Sequence, residues 1–145
     1  MKKLLWTVLI LICFVETGSA FVADSSAQKI RKNSVYYEFF GNGLWSGSIN
    51  YDLRIPVAPD LFVSIRAGLA WYERFFPLAG ASLLIGNKHS LECGTAYTAF
   101  HEGDIVFLRL GYRYSGNKGL IIRAAPLYSL SQRFTWFGVS AGYSF

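Results

Sequence analysis

Residues Thr135 to Phe145 read T-W-F-G-V-S-A-G-Y-S-F, and their alternation constrains the chain more than any other feature. Phe137, Val139, Ala141, Tyr143 and Phe145 share one parity, while Trp136, Gly138, Ser140, Gly142 and Ser144 share the other. Successive side chains of a β-strand point to opposite faces, so a strand here carries one apolar face and one mostly small or polar face. The apolar set includes Phe145 itself, where a soluble domain ordinarily ends in a frayed polar tail. The pattern predicts that this stretch closes a β-barrel standing in a membrane.

The same alternation recurs in segments of about 9 to 11 residues, the length a membrane-crossing strand requires. Eight are predicted: Ser34 to Gly41, Leu44 to Ile55, Leu61 to Tyr72, Phe76 to Gly86, His89 to Phe100, Ile105 to Ser115, Leu120 to Leu127 and Thr135 to Phe145. Turn signals part them. Gly41-Asn42-Gly43 is a hairpin signal, Pro56-Val57-Ala58-Pro59-Asp60 has two prolines that cannot donate to a ladder, and Gly116-Asn117-Lys118-Gly119 is a strong turn. Glu73-Arg74, Gly86-Asn87-Lys88, His101-Glu102-Gly103-Asp104 and Ser129 to Arg133 supply the others. The fold class expected is all-β: an eight-stranded antiparallel up-and-down transmembrane β-barrel over residues 34–145, after an N-terminal stretch at 21–33.

Which face meets what decides between a membrane barrel and a soluble one. A soluble barrel turns its polar face to water and carries many Lys and Glu residues there, whereas a membrane barrel turns it to a confined lumen. Here that face is mostly Ser, Gly, Ala and Asn with a few Arg and acidic residues. Every lysine past residue 20, namely Lys29, Lys32, Lys88 and Lys118, falls in the N-terminal stretch or a turn. Trp45, Tyr51, Trp71, Tyr97, Tyr112, Tyr114 and Tyr143 lie towards the ends of the apolar faces, as interfacial girdles require. The competing reading is a secreted soluble β-barrel that binds an apolar ligand inside.

The N-terminus predicts export. Lys2 and Lys3 precede an apolar run from Leu4 to Val15, and Thr17-Gly18-Ser19-Ala20 offers small residues for cleavage, so residues 1–20 read as a signal peptide, with an alternative cut after Ala27. The run is too short for a spanning helix, which needs about 20 apolar residues. Cys13 follows Ile12 rather than a small residue, so no lipid anchor is expected. Losing Lys2, Lys3 and Glu16 lowers the net charge from +5 to +4, too mild to imply nucleic acid. Cys93 is then the one cysteine left, and an exported fold without a disulfide must be held another way, as closure of a barrel in a membrane does.

The signal peptide, the alternating segments and the terminal Tyr143-Ser144-Phe145 together resemble the small outer-membrane β-barrel proteins of Gram-negative bacteria. Gly138-Val139-Ser140-Ala141-Gly142-Tyr143-Ser144-Phe145 resembles the C-terminal signal that the barrel-assembly machinery recognises in that class, which implies that role for Tyr143 and Phe145. Asn33-Ser34-Val35-Tyr36-Tyr37-Glu38 followed by Gly41-Asn42-Gly43, with Leu110-Gly111-Tyr112-Arg113-Tyr114 later, resembles a group of such barrels without assigned function. The resemblance implies a monomer in the bacterial outer membrane, in contact with the lipid bilayer and lipopolysaccharide.

The ionisable residues on the inward parity are Glu38, Asp52, Arg54, Arg66, Glu92, Arg109, Arg113 and Arg123. An eight-stranded barrel is so narrow that side chains fill it, so these charges are expected to pair across the interior, Arg meeting carboxylate through its planar fork. Some small outer-membrane barrels act on lipid A with a His, a Ser and a carboxylate near the outer surface. Only His101, with Glu102, Asp104 and Ser129 or Ser131, could form such a set here, and on short loops these residues are ordinarily solvated turns. A periplasmic N-terminus places His89 at the other end of the barrel. Neither histidine has a second His or Cys at ligand spacing, so no metal and no cofactor is expected. Short outer loops argue against a receptor or adhesin. Arg74 and Arg133, on the mixed-charge outer rim, are the candidates for contact with lipopolysaccharide phosphates.

Overall fold

The structure is a computed structural model that describes residues 31–43, 46–101 and 103–145. The signal peptide and its cleavage sites, together with Lys29, Trp45 and Glu102, lie outside the described residues. The strands are β1 (Asn33–Phe39), β2 (Ser48–Ala58), β3 (Leu61–Tyr72), β4 (Arg74–Ile85), β5 (His89–Thr98), β6 (Ile105–Ser115), β7 (Leu120–Ser129) and β8 (Thr135–Ser144). Each pairs antiparallel with its neighbours in sequence, and β1 also pairs with β8, closing the barrel. Ser34 stands opposite Ser144 and Phe39 opposite Val139 across that seam.

Burial follows the alternation. Along β6, Ile105, Phe107, Arg109, Gly111 and Arg113 are buried while Leu108, Leu110 and Tyr112 are exposed. The outer surface is therefore apolar, with Ile49 61 % exposed and Phe75 62 % exposed. Tyr51, Trp71, Tyr97, Tyr112 and Tyr143 stand out from it. Turns are tight: Gly86 and Gly119 take φ of 106° and 100°, and Asp60 and Glu73 adopt the left-handed region without being glycine.

Several boundaries differ from the sequence expectation. Strand β1 ends at Phe39, before the Gly41 expected to close it, and Asn42 of the following loop is fully buried. Asn42 N–H donates to Glu38 Oε2 at 2.9 Å, and Thr98 Oγ1 donates to the Asn42 carbonyl at 3.2 Å. Strand β2 runs through Pro56 to Ala58 because a register shift between Pro56 and Ala58 absorbs the proline that cannot donate. Arg74 belongs to β4, opposite Tyr72, so that hairpin turns on Glu73 alone. Ser129 belongs to β7, paired with Phe107.

The inward face is also less uniformly small and polar than the pattern suggests. Near the loops that follow β5 and β7, Ala96, Ile105, Phe107 and Leu127 form an apolar cluster, with Phe100, Phe134 and Trp136 packed against it. Apolar filling at this end of the lumen leaves the charges to the remainder of the interior.

Candidate functional site

Alternation places Glu38 on β1, Asp52 and Arg54 on β2, Arg66 on β3, Glu92 on β5, Arg109 and Arg113 on β6 and Arg123 on β7, all pointing inward. Arg109, Arg113 and Arg123 are 2 %, 1 % and 1 % exposed, so their guanidinium groups must find partners inside the barrel. Two assemblies result. In the first, Glu92 is the hub: Arg66 Nη2 donates to its Oε1 at 2.8 Å, Arg123 Nη2 donates to the same oxygen, and Arg123 Nε donates to Oε2 at 3.0 Å. Arg109 Nε lies 3.4 Å from that Oε1, and its Nη1 donates to Glu38 Oε1 at 2.5 Å, which ties Glu38 to the hub. Ser82 Oγ adds a 3.1 Å bond to Glu92.

The second assembly centres on Asp52. Arg113 Nη1 donates to Asp52 Oδ2 at 2.6 Å and Arg113 Nη2 to Ser34 Oγ at 3.1 Å, while Ser64 Oγ donates to Asp52 Oδ1. Arg54 joins neither. Its Nη2 donates to the Gly86 carbonyl at 2.8 Å, and its guanidinium carbon sits 3.6 Å from the centre of the Phe62 ring. The expectation that every lumen arginine meets a carboxylate is corrected there: Arg54 reaches the turn after β4, whose backbone carbonyls accept its N–H groups instead.

The structure adds Tyr36 to the site. Its ring lies 4.5 Å from Arg123 Cζ and 5.7 Å from Arg66 Cζ, and its hydroxyl is buried without a hydrogen-bond partner among the described residues. Its parity with Ser34 and Glu38 marks it as inward, although an aromatic is easily assigned to the apolar outer face.

The histidines are at opposite ends, His89 opening β5 and His101 following it. His89 Nδ1 is hydrogen-bonded with the Tyr112 hydroxyl, and its ring lies against Tyr114. Around His101 no catalytic set is assembled among the described residues. Ser129 Oγ accepts Gln132 N–H, Ser131 Oγ accepts Val106 N–H, and Asp104 bonds the Tyr97 hydroxyl. These serines tie the loop between β7 and β8 to the barrel wall rather than bonding His101. Arg74 and Arg133 are exposed at the same end, and Tyr143 and Phe145 are 53 % and 57 % exposed at the other. Arg31 reaches that second end, donating to the Ser144 carbonyl at 2.8 Å and to the Tyr143 hydroxyl at 3.3 Å.

No protein-family model and no curated protein matches this chain. Among solved structures it is similar to the N-terminal β-barrel domain of Pseudomonas aeruginosa OprF, with a TM-score of 0.54 and 10 % identity over 79 % of this chain and 96 % of that one. It is also similar to the Yersinia pestis outer membrane protein Ail, with a TM-score of 0.44 and 11 % identity over 79 % of this chain and 99 % of that one. The likeness to the OprF domain is one of fold, and it agrees with the closed β1-to-β8 order: this chain is an all-β, eight-stranded antiparallel barrel.

Proposed function

We propose that this protein is a small integral outer-membrane barrel, exported by its N-terminal segment, whose role is structural or membrane-interacting rather than catalytic. One observation carries the reading: burial is inverted relative to a water-soluble domain. Large apolar side chains such as Ile49, Leu69 and Phe137 cover the outside, while Arg109, Arg113, Arg123, Glu38 and Glu92 fill the inside. Only a surrounding apolar solvent makes both halves of that arrangement favourable, and only closure satisfies every strand edge in it. With the N-terminus in the periplasm, Arg74 and Arg133 face the lipopolysaccharide leaflet. Tyr143 and Phe145, at the periplasmic end, serve as the strand the assembly machinery reads.

The test is gel mobility of the protein folded in detergent micelles, with and without boiling, beside a detergent-free sample. A boiling-dependent shift seen only with detergent is the expected result. A protein that is folded and soluble without detergent would overturn the assignment of faces and turn attention to an apolar ligand inside the barrel.

A further inference from the structure

The lumen holds more positive than negative charge. Arg54, Arg66, Arg109, Arg113 and Arg123 stand against Glu38, Asp52 and Glu92, and all eight are buried. Arg54 is set apart at one end, on the carbonyls of Gly86 and Asn87, with Asp60 bonded to the far side of Asn87. The interior proper therefore sets Arg66, Arg109, Arg113 and Arg123 against three carboxylates, an excess of one positive charge. A lysine could relieve such an excess by releasing its proton, but arginine stays charged in proteins. Water offers hydrogen bonds but no compensating charge.

The spare donors mark where compensation falls. Three guanidinium groups meet at Glu92 Oε1, from Arg66 at 2.8 Å, from Arg109 at 3.4 Å and from Arg123. Arg66 Nε and Nη1, Arg109 Nη2 and Arg123 Nη1 remain buried without a hydrogen-bond partner among the described residues. Each belongs to a guanidinium already touching that one oxygen, so all the spare nitrogens sit on the groups gathered at Glu92. Tyr36, whose ring lies beneath Arg66 and Arg123, carries a further hydroxyl without a hydrogen-bond partner among the described residues.

We propose that the lumen binds one small monovalent inorganic anion, of the halide class, on the spare N–H groups of Arg66, Arg109 and Arg123 beside Tyr36. A single negative charge balances the interior. A divalent oxyanion would overbalance it and would bring oxygens for which this narrow, side-chain-filled interior has little room. The site is distinct from the contacts proposed for Arg74 and Arg133, and it requires a folded barrel but no particular physiological role.

The experiment follows urea unfolding of the micelle-folded protein by fluorescence, in sodium bromide against sodium gluconate at equal ionic strength. The wild-type midpoint is expected to rise with bromide and to saturate, because a ligand that binds only the folded state stabilises it by mass action. Arg66→Gln balances the interior at three charges of each sign, and its midpoint is expected to be the same in both salts. A wild-type midpoint indifferent to bromide overturns the proposal, as does an equal bromide dependence in Arg66→Gln, which would reveal a general salt effect. Should Arg66→Gln fail to fold, wild-type crystals grown in bromide decide. An anomalous peak within hydrogen-bond distance of the spare arginine nitrogens supports the site, and its absence there overturns it.

Discussion

Arg113 and Arg66 are both inward-facing arginines, yet their partners give them different weights. Arg113 is the cation that meets Asp52, and without it that carboxylate keeps only the Ser64 hydroxyl among the described residues. Glu92, by contrast, keeps Arg109 and Arg123 when Arg66 is lost. Leaving a buried charge without its partner costs about 3–5 kcal/mol, whereas removing a surplus charge costs much less. Arg113→Met is therefore expected to lower the unfolding free energy in micelles by that amount, and Arg66→Met by a clearly smaller one. Equal losses in urea titrations would contradict the division of the lumen into two assemblies.

Among the elements, the connection at residues 40–47 shows how one lumen carboxylate reaches beyond the strands. Glu38 both meets Arg109 and accepts the Asn42 N–H, so the same side chain closes the charge network and holds the loop inward. Glu38→Gln keeps the shape of the side chain but weakens its grip, and amide exchange at Asn42 is expected to quicken by about tenfold, the effect of losing roughly 1.4 kcal/mol from one charge-assisted bond. Unchanged protection of Asn42 would mean that packing alone holds the loop. Elements governed by local pattern are legible in sequence: β6 spans Ile105–Ser115, the segment its alternation marks. Elements governed by distant contacts are not. Gly41-Asn42-Gly43 carries a hairpin signature, but what shapes that loop is a carboxylate and the hydroxyl of Thr98 from across the barrel. The same limit applies inside the site. Parity alone turns Arg109 and Glu38 inward, but their meeting joins β6 to β1, strands that are not neighbours, and depends on how the closed barrel staggers them.

At the scale of the whole molecule, the barrel presents two unlike ends. The end bearing Glu73, Arg74, Asp104 and Arg133 is exposed and mixed in charge, while the other gathers Arg31, Lys118, Tyr143 and Ser144. If the first end faces lipopolysaccharide, replacing Arg74 and Arg133 together by Glu should weaken its binding by about two- to fivefold, the range of an exposed ion pair. The boiling-dependent gel shift should stay intact, and binding to lipopolysaccharide vesicles at low salt is the measurement. Unaltered affinity would remove both arginines from the interface.

The seam itself sets an order of events in time. Ser34 pairs with Ser144, so the ring joins residues from nearly opposite ends of the described chain, whereas each neighbouring hairpin joins residues close in sequence. Contacts this distant are slow to form, and this one cannot begin before Ser144 has been made. Until then β1 and whichever strand was made last are open edges, offering unpaired N–H and C=O groups to any other unfinished copy. The interval between synthesis and closure is therefore when this chain is most exposed to aggregation, and an escort that covers those edges would matter most then.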